Sequence, residues 1–446
     1  MTIVRRLSLF LLLLSGGISF LYGFTVARSV SGAPDFRPAY YGARCLLQHR
    51  NPYSVSELES VYRADELKIP SDPVQRQVTT VNIYLPAAYM FIAPLAVLPY
   101  GIALAVWLIL LAGVFLLAAI LVWDVRANYA PGVSLFLICI VLANSEVLFT
   151  GGNPAGIAVS LCIVAVWCFL RERFVPAGIL CMAVSLAIKP HDAGLVWLYF
   201  LLAGGVYRKR ALQTLGVTVL LALPAILWMS RIEPHWFGDW QSNLLVMSAR
   251  GGILDPGPAS LPGFRDLGMI ISLQTVISVF RDDPPIYNPA SYLACGVLLL
   301  TWSAATLWSR FLPARAWFAL AAVVPLAMLV TYHRPYDTKL LLLAVPACAM
   351  LWAEGGFIRW IALSVNTTAL LLTGDIPLTI LLILTRNLHL SVSTLFGQIA
   401  TVVLARPVPL TLLVMGTFYL WVYLRRALSS AKSGYSDQTH SAPATA

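Results

Sequence analysis

Charge is the scarcest property of this sequence. Of its 446 residues, 11% are Asp, Glu, Lys or Arg, against about 25% in a soluble globular chain. That deficit excludes a water-soluble domain of ordinary composition. No C-x-x-C occurs among the seven cysteines. Six of them (Cys139, Cys162, Cys168, Cys181, Cys295 and Cys348) lie in apolar runs and read as small hydrophobes. Cys45, in a polar stretch, has no obvious partner. Basic tracts with interleaved aromatics are missing too, so the net charge of +10 does not point to nucleic acid. It fits Lys and Arg gathered at cytoplasmic helix ends. No convincing internal repeat is visible.

What the chain has is apolar length. Hydrophobic residues make up 59% of it and mean hydropathy is +0.79. Apolar runs recur near the length of about 20 residues that a helix needs to cross a bilayer. In hydrocarbon the backbone must satisfy its own polar groups, which helices do. The expected fold class is all-α, a polytopic membrane protein with about 12 transmembrane helices and both termini cytoplasmic. One transmembrane domain is expected over 1–429, with a disordered polar tail at 430–446. The run 7–26, behind Arg5-Arg6, reads as an uncleaved first span. It is long for the apolar core of a signal peptide.

Two long polar segments interrupt the pattern, at 28–100 and 230–289. The first contains Ser54-Val55-Ser56-Glu57, a capping-box pattern, so one or two short surface helices are expected over 51–77. Its end, 84–98, is apolar but short and carries Pro86 and Pro94. Were 84–98 to cross the bilayer, the basic loops Arg171-Glu172-Arg173 and Arg208-Lys209-Arg210 would both fall outside. Lying along the surface, it puts both inside, as the positive-inside rule requires. A juxtamembrane helix on the outer side is therefore expected. An amphipathic or partly inserted helix is expected over 267–280. The run 376–405, with Arg386, Asn387 and His389, argues against a simple crossing.

That sidedness makes a sieve. Outer turns should be poor in Lys and Arg, so Lys189, Arg334 and Lys339 need a reason. His191 and His333 stand beside two of them, and Asp35, Glu146, Asp192, Asp337 and Asp375 lie near the same helix ends. Ionisable groups in membrane segments default to functional hypotheses. One carboxylate with a few cations at a membrane surface suits transfer from a phospholipid-like donor. The carboxylate takes the proton of an attacking hydroxyl, and cations stabilise the departing phosphate. Tyr40, Tyr41, Trp236 and Trp240 suit a sugar face or a headgroup boundary. Each group has a structural alternative. Asp35 can cap a helix. Lys189 and His191 can snorkel to headgroups. His333 and Arg334 can pair with Asp337 in a turn. Gly151-Gly152-Asn153-Pro154 can be a tight turn, and the tryptophans can be interfacial anchors.

The order of short motifs carries more. Asp35-Phe36-Arg37-Pro38-Ala39-Tyr40-Tyr41-Gly42-Ala43, then Asn51-Pro52-Tyr53, then Tyr84-Leu85-Pro86, then Ala93-Pro94-Leu95-Ala96-Val97-Leu98-Pro99 resembles glycosyltransferase family 87. That family reads Asp-Phe-x-x-Tyr-Tyr, Asn/Asp-Pro-Tyr, Tyr-Pro-Pro and Ala-Pro-Leu-Ala-x-Leu-Pro. A Gly-Gln-x-Asn turn and a Lys-Pro turn follow; here Gly152-Asn153 and Lys189-Pro190 occupy those places. Leu85 and the Gly-Gly-Asn-Pro turn depart from the pattern. The resemblance covers about 7–210 well. It implies a GT-C-type polytopic enzyme that uses a polyprenyl-phosphate sugar, typically mannose. It also implies Asp35 as general base, the Tyr84 helix as the juxtamembrane helix, and a late-loop His, for which His333 is the candidate.

The expected function is an inverting glycosyltransferase. It would move a sugar, mannose by the resemblance, from a polyprenyl-phosphate donor to a hydroxyl of a lipid or glycan acceptor. The site would face the periplasm or exterior from the inner (plasma) membrane. Asp35 would be catalytic. Lys189, His333 and Arg334 would hold the donor phosphate. Arg37, Tyr40, Tyr41, Tyr84, Asn153 and His191 would contact substrate. Two cationic side chains can neutralise such a leaving group, so no metal and no cofactor are expected. The alternative is a transporter or flippase for a lipid-linked or small polar substrate, which calls for ionisable residues near the midplane and a pseudo-symmetric repeat. A third reading is a non-catalytic membrane scaffold, in which Asp35 would be replaceable.

Overall fold

The computed structural model describes residues 3–65, 69–126, 130–257, 270–309, 313–386 and 393–439. Among them regular structure is helical, with one isolated antiparallel bridge between Ile271 and His333. In chain order the helices are α1 (Ile3–Val26), α2 (Phe36–Leu47), α3 (Val55–Ala64), α4 (Pro73–Thr80), α5 (Pro86–Ala96), α6 (Tyr100–Arg126), α7 (Pro131–Ala143), α8 (Glu146–Gly151), α9 (Ala155–Arg171), α10 (Val175–Ile188) and α11 (Pro190–Ala203). There follow α12 (Gly205–Ile232), α13 (Trp236–Ser248), α14 (Leu273–Phe280), α15 (Pro284–Trp308), α16 (Pro313–Val330), α17 (Val345–Glu354), α18 (Ile358–Leu372), α19 (Asp375–Arg386), α20 (Leu395–Ala400) and α21 (Pro407–Thr439).

Proline explains where many of them begin. Its missing N–H is harmless in a first turn, and α4, α5, α7, α10, α11, α15 and α17 each carry one there. Caps act in the first polar segment as well, the expected one at Ser54 and a further one at Asp72. Ser54 accepts from the Glu57 amide to start α3, and Asp72 does the same for α4 from Gln75. Glu57 returns its carboxylate to the Asn51 amide at 2.8 Å rather than to Ser54.

Among the described residues, six helical stretches are long and apolar enough to cross a membrane: Arg5–Ser29, Tyr100–Val125, Pro131–Gly151, Gly205–Ile232, Pro284–Trp308 and Pro407–Ala427. The chain is thus an all-helical, multi-pass membrane protein. A seventh arises if α18 and the start of α19, bent by 73°, count as one. The element expected over 84–98 is α5, with 11 residues. At about 1.5 Å per residue it reaches only about half of a hydrocarbon core of about 30 Å. The face of α12 formed by Leu212, Leu215, Val219, Leu220 and Leu227 is exposed, as a lipid-facing surface requires. Inside, α16 packs along α21, α9 against α6 and α10, and α1 against α7 and α8.

Several boundaries differ from expectation. The helix expected over 267–280 is described only as α14, and 258–269 lie outside the described residues. The stretch before α17 is a 3-10 helix, Asp337–Ala344. Within 376–405 the chain runs through α19, then 387–392, which are outside the described residues with Asn387 and His389. It resumes as α20 and a π-helical turn, Thr401–Ala405. Of the tail at 430–446, backbone is described to Thr439 and 440–446 lie outside the described residues.

Candidate functional site

Four chain breaks meet at one end of the bundle. The first follows α1. A π-helical turn, Ala27–Ser31, gives way to two left-handed residues, Gly32 (φ 61°) and Ala33 (φ 49°), and the chain turns into α2. Asp35 starts that helix but makes no side-chain cap bond, so the capping alternative does not hold. Its amide donates to the Gly151 carbonyl at 3.1 Å, and its carbonyl accepts from the Tyr84 hydroxyl at 3.1 Å.

The second break lies between α8 and α9. Gly152 (φ 63°) ends α8 in the left-handed region that glycine tolerates. Gly151 leaves room for the Asp35 carboxylate: a Cβ there would lie 2.8 Å from Oδ2. The Asn153 side chain hydrogen-bonds Asp35, while its Oδ1 accepts from the Ala155 amide at 2.8 Å. Its NH2 group is therefore the one that serves Asp35.

Lys189 is the third break, alone between α10 and α11. Pro190 disfavours helical backbone in the residue before it, and Lys189 accordingly has φ −149° and ψ 81°. Its Nζ pairs with Asp337 Oδ1, lies 3.4 Å from Asp192 Oδ2, and sits 5.1 Å from the centre of the Tyr336 ring.

The fourth break, 331–337, joins α16 to the 3-10 helix. The Ile271–His333 bridge, with bonds of 2.8 and 3.2 Å, fixes the backbone of His333. Asp337 Oδ2 accepts the Arg334 amide at 2.8 Å, and Arg334 Nε donates to the Tyr332 hydroxyl. His333 Nδ1 is 3.1 Å from the Thr331 carbonyl, and its Nε2 is 3.4 Å from Asp192 Oδ1.

Asp35 retains part of its surface accessible. Burial is the largest influence on it and raises its pKa above the ordinary carboxylate range. Arg334, the Asn153 hydrogen bond and Lys189 pull downward without cancelling that rise, and Asp337 adds to it. A carboxylate raised in this way is a stronger proton acceptor than one at a water-exposed surface. For Lys189, burial opposes the charge, but Asp192 and Asp337 outweigh it and the pKa is raised. It remains an ammonium ion.

The structure brings together Asp35, Tyr84, Asn153, Lys189, His191, His333 and Arg334. It does not bring Arg37, Tyr40 and Tyr41 to that cluster. Arg37 lies 5.7 Å from the Tyr100 ring centre. The Tyr40 hydroxyl donates to the Leu98 carbonyl at 2.6 Å, and the Tyr41 hydroxyl to Asp65 at 3.0 Å. Both rings are buried, Tyr40 against Phe36 and Tyr100, Tyr41 against Tyr62, where they hold α2 in place. Trp236 and Trp240 dock α13 on the first polar segment, Trp236 against the Tyr53 ring and Trp240 by donating to the Ile83 carbonyl at 3.0 Å. From the sequence alone Asp192 and Asp337 were noted only as outer acidic groups, Asp337 also as a turn partner, and Gly151 only as part of a tight turn; none was placed in the site, nor were Tyr332 and Tyr336. The signal for the two aspartates was present: each stands within three residues of an outer cation.

Comparison with known proteins gives one family. The model of glycosyltransferase family 87 matches residues 82–332, more than half of the chain. The match takes in Tyr84, Asn153, Lys189 and His191 and stops short of Asp35 and His333. Neither the curated proteins nor the solved structures yield a match.

Proposed function

The chain belongs to glycosyltransferase family 87, and from that premise we propose that it is an inverting enzyme that transfers mannose from a polyprenyl-phosphate donor to a hydroxyl acceptor on a lipid or glycan. Membrane glycosyl transfer is the family's contribution; the polyprenyl-phosphate donor and mannose rest on the resemblance in the motifs, and the carboxylate with its neighbouring cations supports a phosphate leaving group and attack from the opposite face. One observation carries the reading. Asp35 is free of capping, is held by Asn153, and lies within electrostatic reach of Lys189 and Arg334.

Each group then has a task. Asp35 takes the proton of the acceptor hydroxyl. The oxygen attacks the anomeric carbon from the face opposite the lipid phosphate. The bond from that carbon to the phosphate oxygen breaks, and its electron pair leaves on the phosphate. Lys189 and Arg334 meet the charge as it develops there, with His333 beside them. Asn153 orients the base, and Tyr84 holds its backbone.

In a GT-C arrangement of about 12 crossings, the shorter apolar helices, α9 to α11 among them, would also pass through the bilayer. The helix α5 would lie along its surface, and the site would face the periplasm or exterior. The test is a proteoliposome assay with purified protein, labelled polyprenyl-phosphate-mannose and a membrane lipid extract as acceptor source. Appearance of mannosylated product together with free polyprenyl phosphate is expected. Turnover of a nucleotide sugar, with the lipid-linked donor untouched, would overturn the reading.

A further inference from the structure

Beside the Lys189–Asp337 pair stands a group of side chains that phosphate binding does not explain. His191, Asp192 and His333 offer three ligand atoms that all lie within 4.8 Å of one another. We propose that they bind a divalent transition-metal ion of the Zn2+ class through Asp192 Oδ1 and the Nε2 atoms of both histidines.

The carboxylate makes the argument. The Asp192 side chain is 1% exposed, and no hydrogen bond of good geometry reaches either oxygen, the Lys189 and His333 nitrogens standing off at 3.4 Å. A buried, unserved carboxylate is costly. Its two oxygens face different ways. Oδ2 looks toward Lys189 Nζ at 3.4 Å, which offsets its charge, whereas Oδ1 looks toward His333 Nε2 at 3.4 Å and His191 Nε2 at 3.7 Å. Those separations exceed the N–H···O range of about 2.7–3.2 Å. They suit two ligands of one ion. Atoms held about 2.1 Å from a metal at a tetrahedral angle lie about 3.4 Å apart.

The tautomer of His333 agrees. Its Nδ1 is 3.1 Å from the Thr331 carbonyl, so in the neutral ring Nδ1 carries the proton and Nε2 presents a lone pair. A backbone carbonyl on the far nitrogen is the usual outer partner of a metal-bound imidazole. Without a cation, that lone pair would face a carboxylate oxygen. Two imidazoles with one carboxylate are a ligand set for which Zn2+ is well suited, with a position left open. His191, whose side chain is 40% exposed, gives the ion a way in.

Charge supplies a reason for it. Asp35, Asp192 and Asp337 face two permanent cations, Lys189 and Arg334. An ion here would add positive charge where an anionic donor must be held, and His333 would then face the phosphate through the ion rather than directly. The binding itself does not depend on the donor assignment; only this role rests on it.

The test uses tag-free, chelator-treated protein in nanodiscs, titrated with Zn2+ and with Co2+ as a visible probe. One equivalent is expected, with ligand-field absorption from bound Co2+. His191→Ala, at a partly exposed position, should retain the melting temperature of the metal-free protein and lose at least about 10-fold in affinity. Asp192→Asn should lose more. Binding that is absent, or unchanged in both variants, overturns the site and leaves a proton on one imidazole as the neutralising charge. Ion binding in a protein that turns over no polyprenyl-phosphate sugar would support the site while removing the donor reading.

Discussion

Two clusters in this molecule share a composition, a lysine turned inward among carboxyl groups, and differ in what else surrounds them. In one, Lys339 Nζ donates to the Asn144 carbonyl at 2.6 Å and lies 3.7 Å from Asp375 Oδ1, while Asp375 Oδ2 accepts the Val147 amide at 2.7 Å. Its partners are the Asn144 carbonyl and Val147 amide of the backbone together with the Glu146 carboxyl, which hydrogen-bonds Asp375, and they tie the break between α7 and α8 to the start of α19. In the other, Lys189 meets Asp337 and Asp192, and the surrounding groups are side chains: His191, His333, Tyr336 and, within electrostatic reach, Asp35. What separates the two is the kind of group around the lysine: a backbone carbonyl and carboxyls at Lys339, but two imidazoles and the Asp35 carboxylate in addition at Lys189. Removing one member of a buried pair exposes the same desolvation cost in both, so stability alone does not tell them apart.

The largest effect expected is that of Asp35→Asn. The general base should be worth about 10²–10⁴ in kcat. Because Asp35 caps nothing, the melting temperature should stay near that of the parent. Transfer at the parent rate in this variant would remove Asp35 as the base and leave the Lys189 cluster without a reaction.

Lys189→Met and Lys339→Met test the comparison directly. Both should lose stability, on the order of 3–5 kcal/mol for an abandoned buried carboxylate. Only Lys189→Met should also lose about 10²-fold in kcat/KM for the lipid-linked donor. Equal kinetic losses, measured on the folded fraction at low temperature, would erase the distinction between the two clusters.

Gly151→Ala is sharper still in position. The new Cβ would lie 2.8 Å from Asp35 Oδ2, so the carboxylate must move. A displacement of that kind should cost about 10–100-fold in kcat with donor KM little changed. An unchanged kcat would mean that the reaction does not depend on where Asp35 is held.

Asn153→Ala is the smallest. Its hydrogen bond lowers the Asp35 pKa against the rise caused by burial. The base works as a carboxylate, so activity rises with pH through its pKa. Without Asn153 that pKa goes higher, and the acid limb of the kcat/KM profile should move to higher pH. On the acid side activity should fall about 10-fold, the worth of a hydrogen bond to a charged group, and recover toward the parent at high pH. An acid limb that stays in place would detach Asn153 from Asp35.

Local features were the most legible in the sequence. The Lys189-Pro190 turn was readable, because proline disfavours helix in the residue before it and suits the first turn of the helix it opens. Ser54 was readable as a cap for the same short-range reason. The short reach of 84–98 followed from its prolines and its length. The aromatic side chains were not readable in this way. Tyr40 and Tyr41 follow Asp35 in one helix, but helix geometry turns successive residues about 100° apart. Both rings point into packing with Tyr62 and Tyr100 rather than toward the carboxylate.

The sequence by itself determined the solvent, the helices and the charge inventory. Low charge and long apolar runs force a membrane, a membrane forces helices, and proline and capping residues set many of their starts. The tertiary structure decided which charges meet. Asp192 and His333 are separated along the chain by the whole of the second polar segment, and only the packing of α11 and α16, with the Ile271–His333 bridge, sets their facing atoms 3.4 Å apart. Ion-pair and ligand geometry depends on ångström distances between side chains, and composition and periodicity carry no such distances.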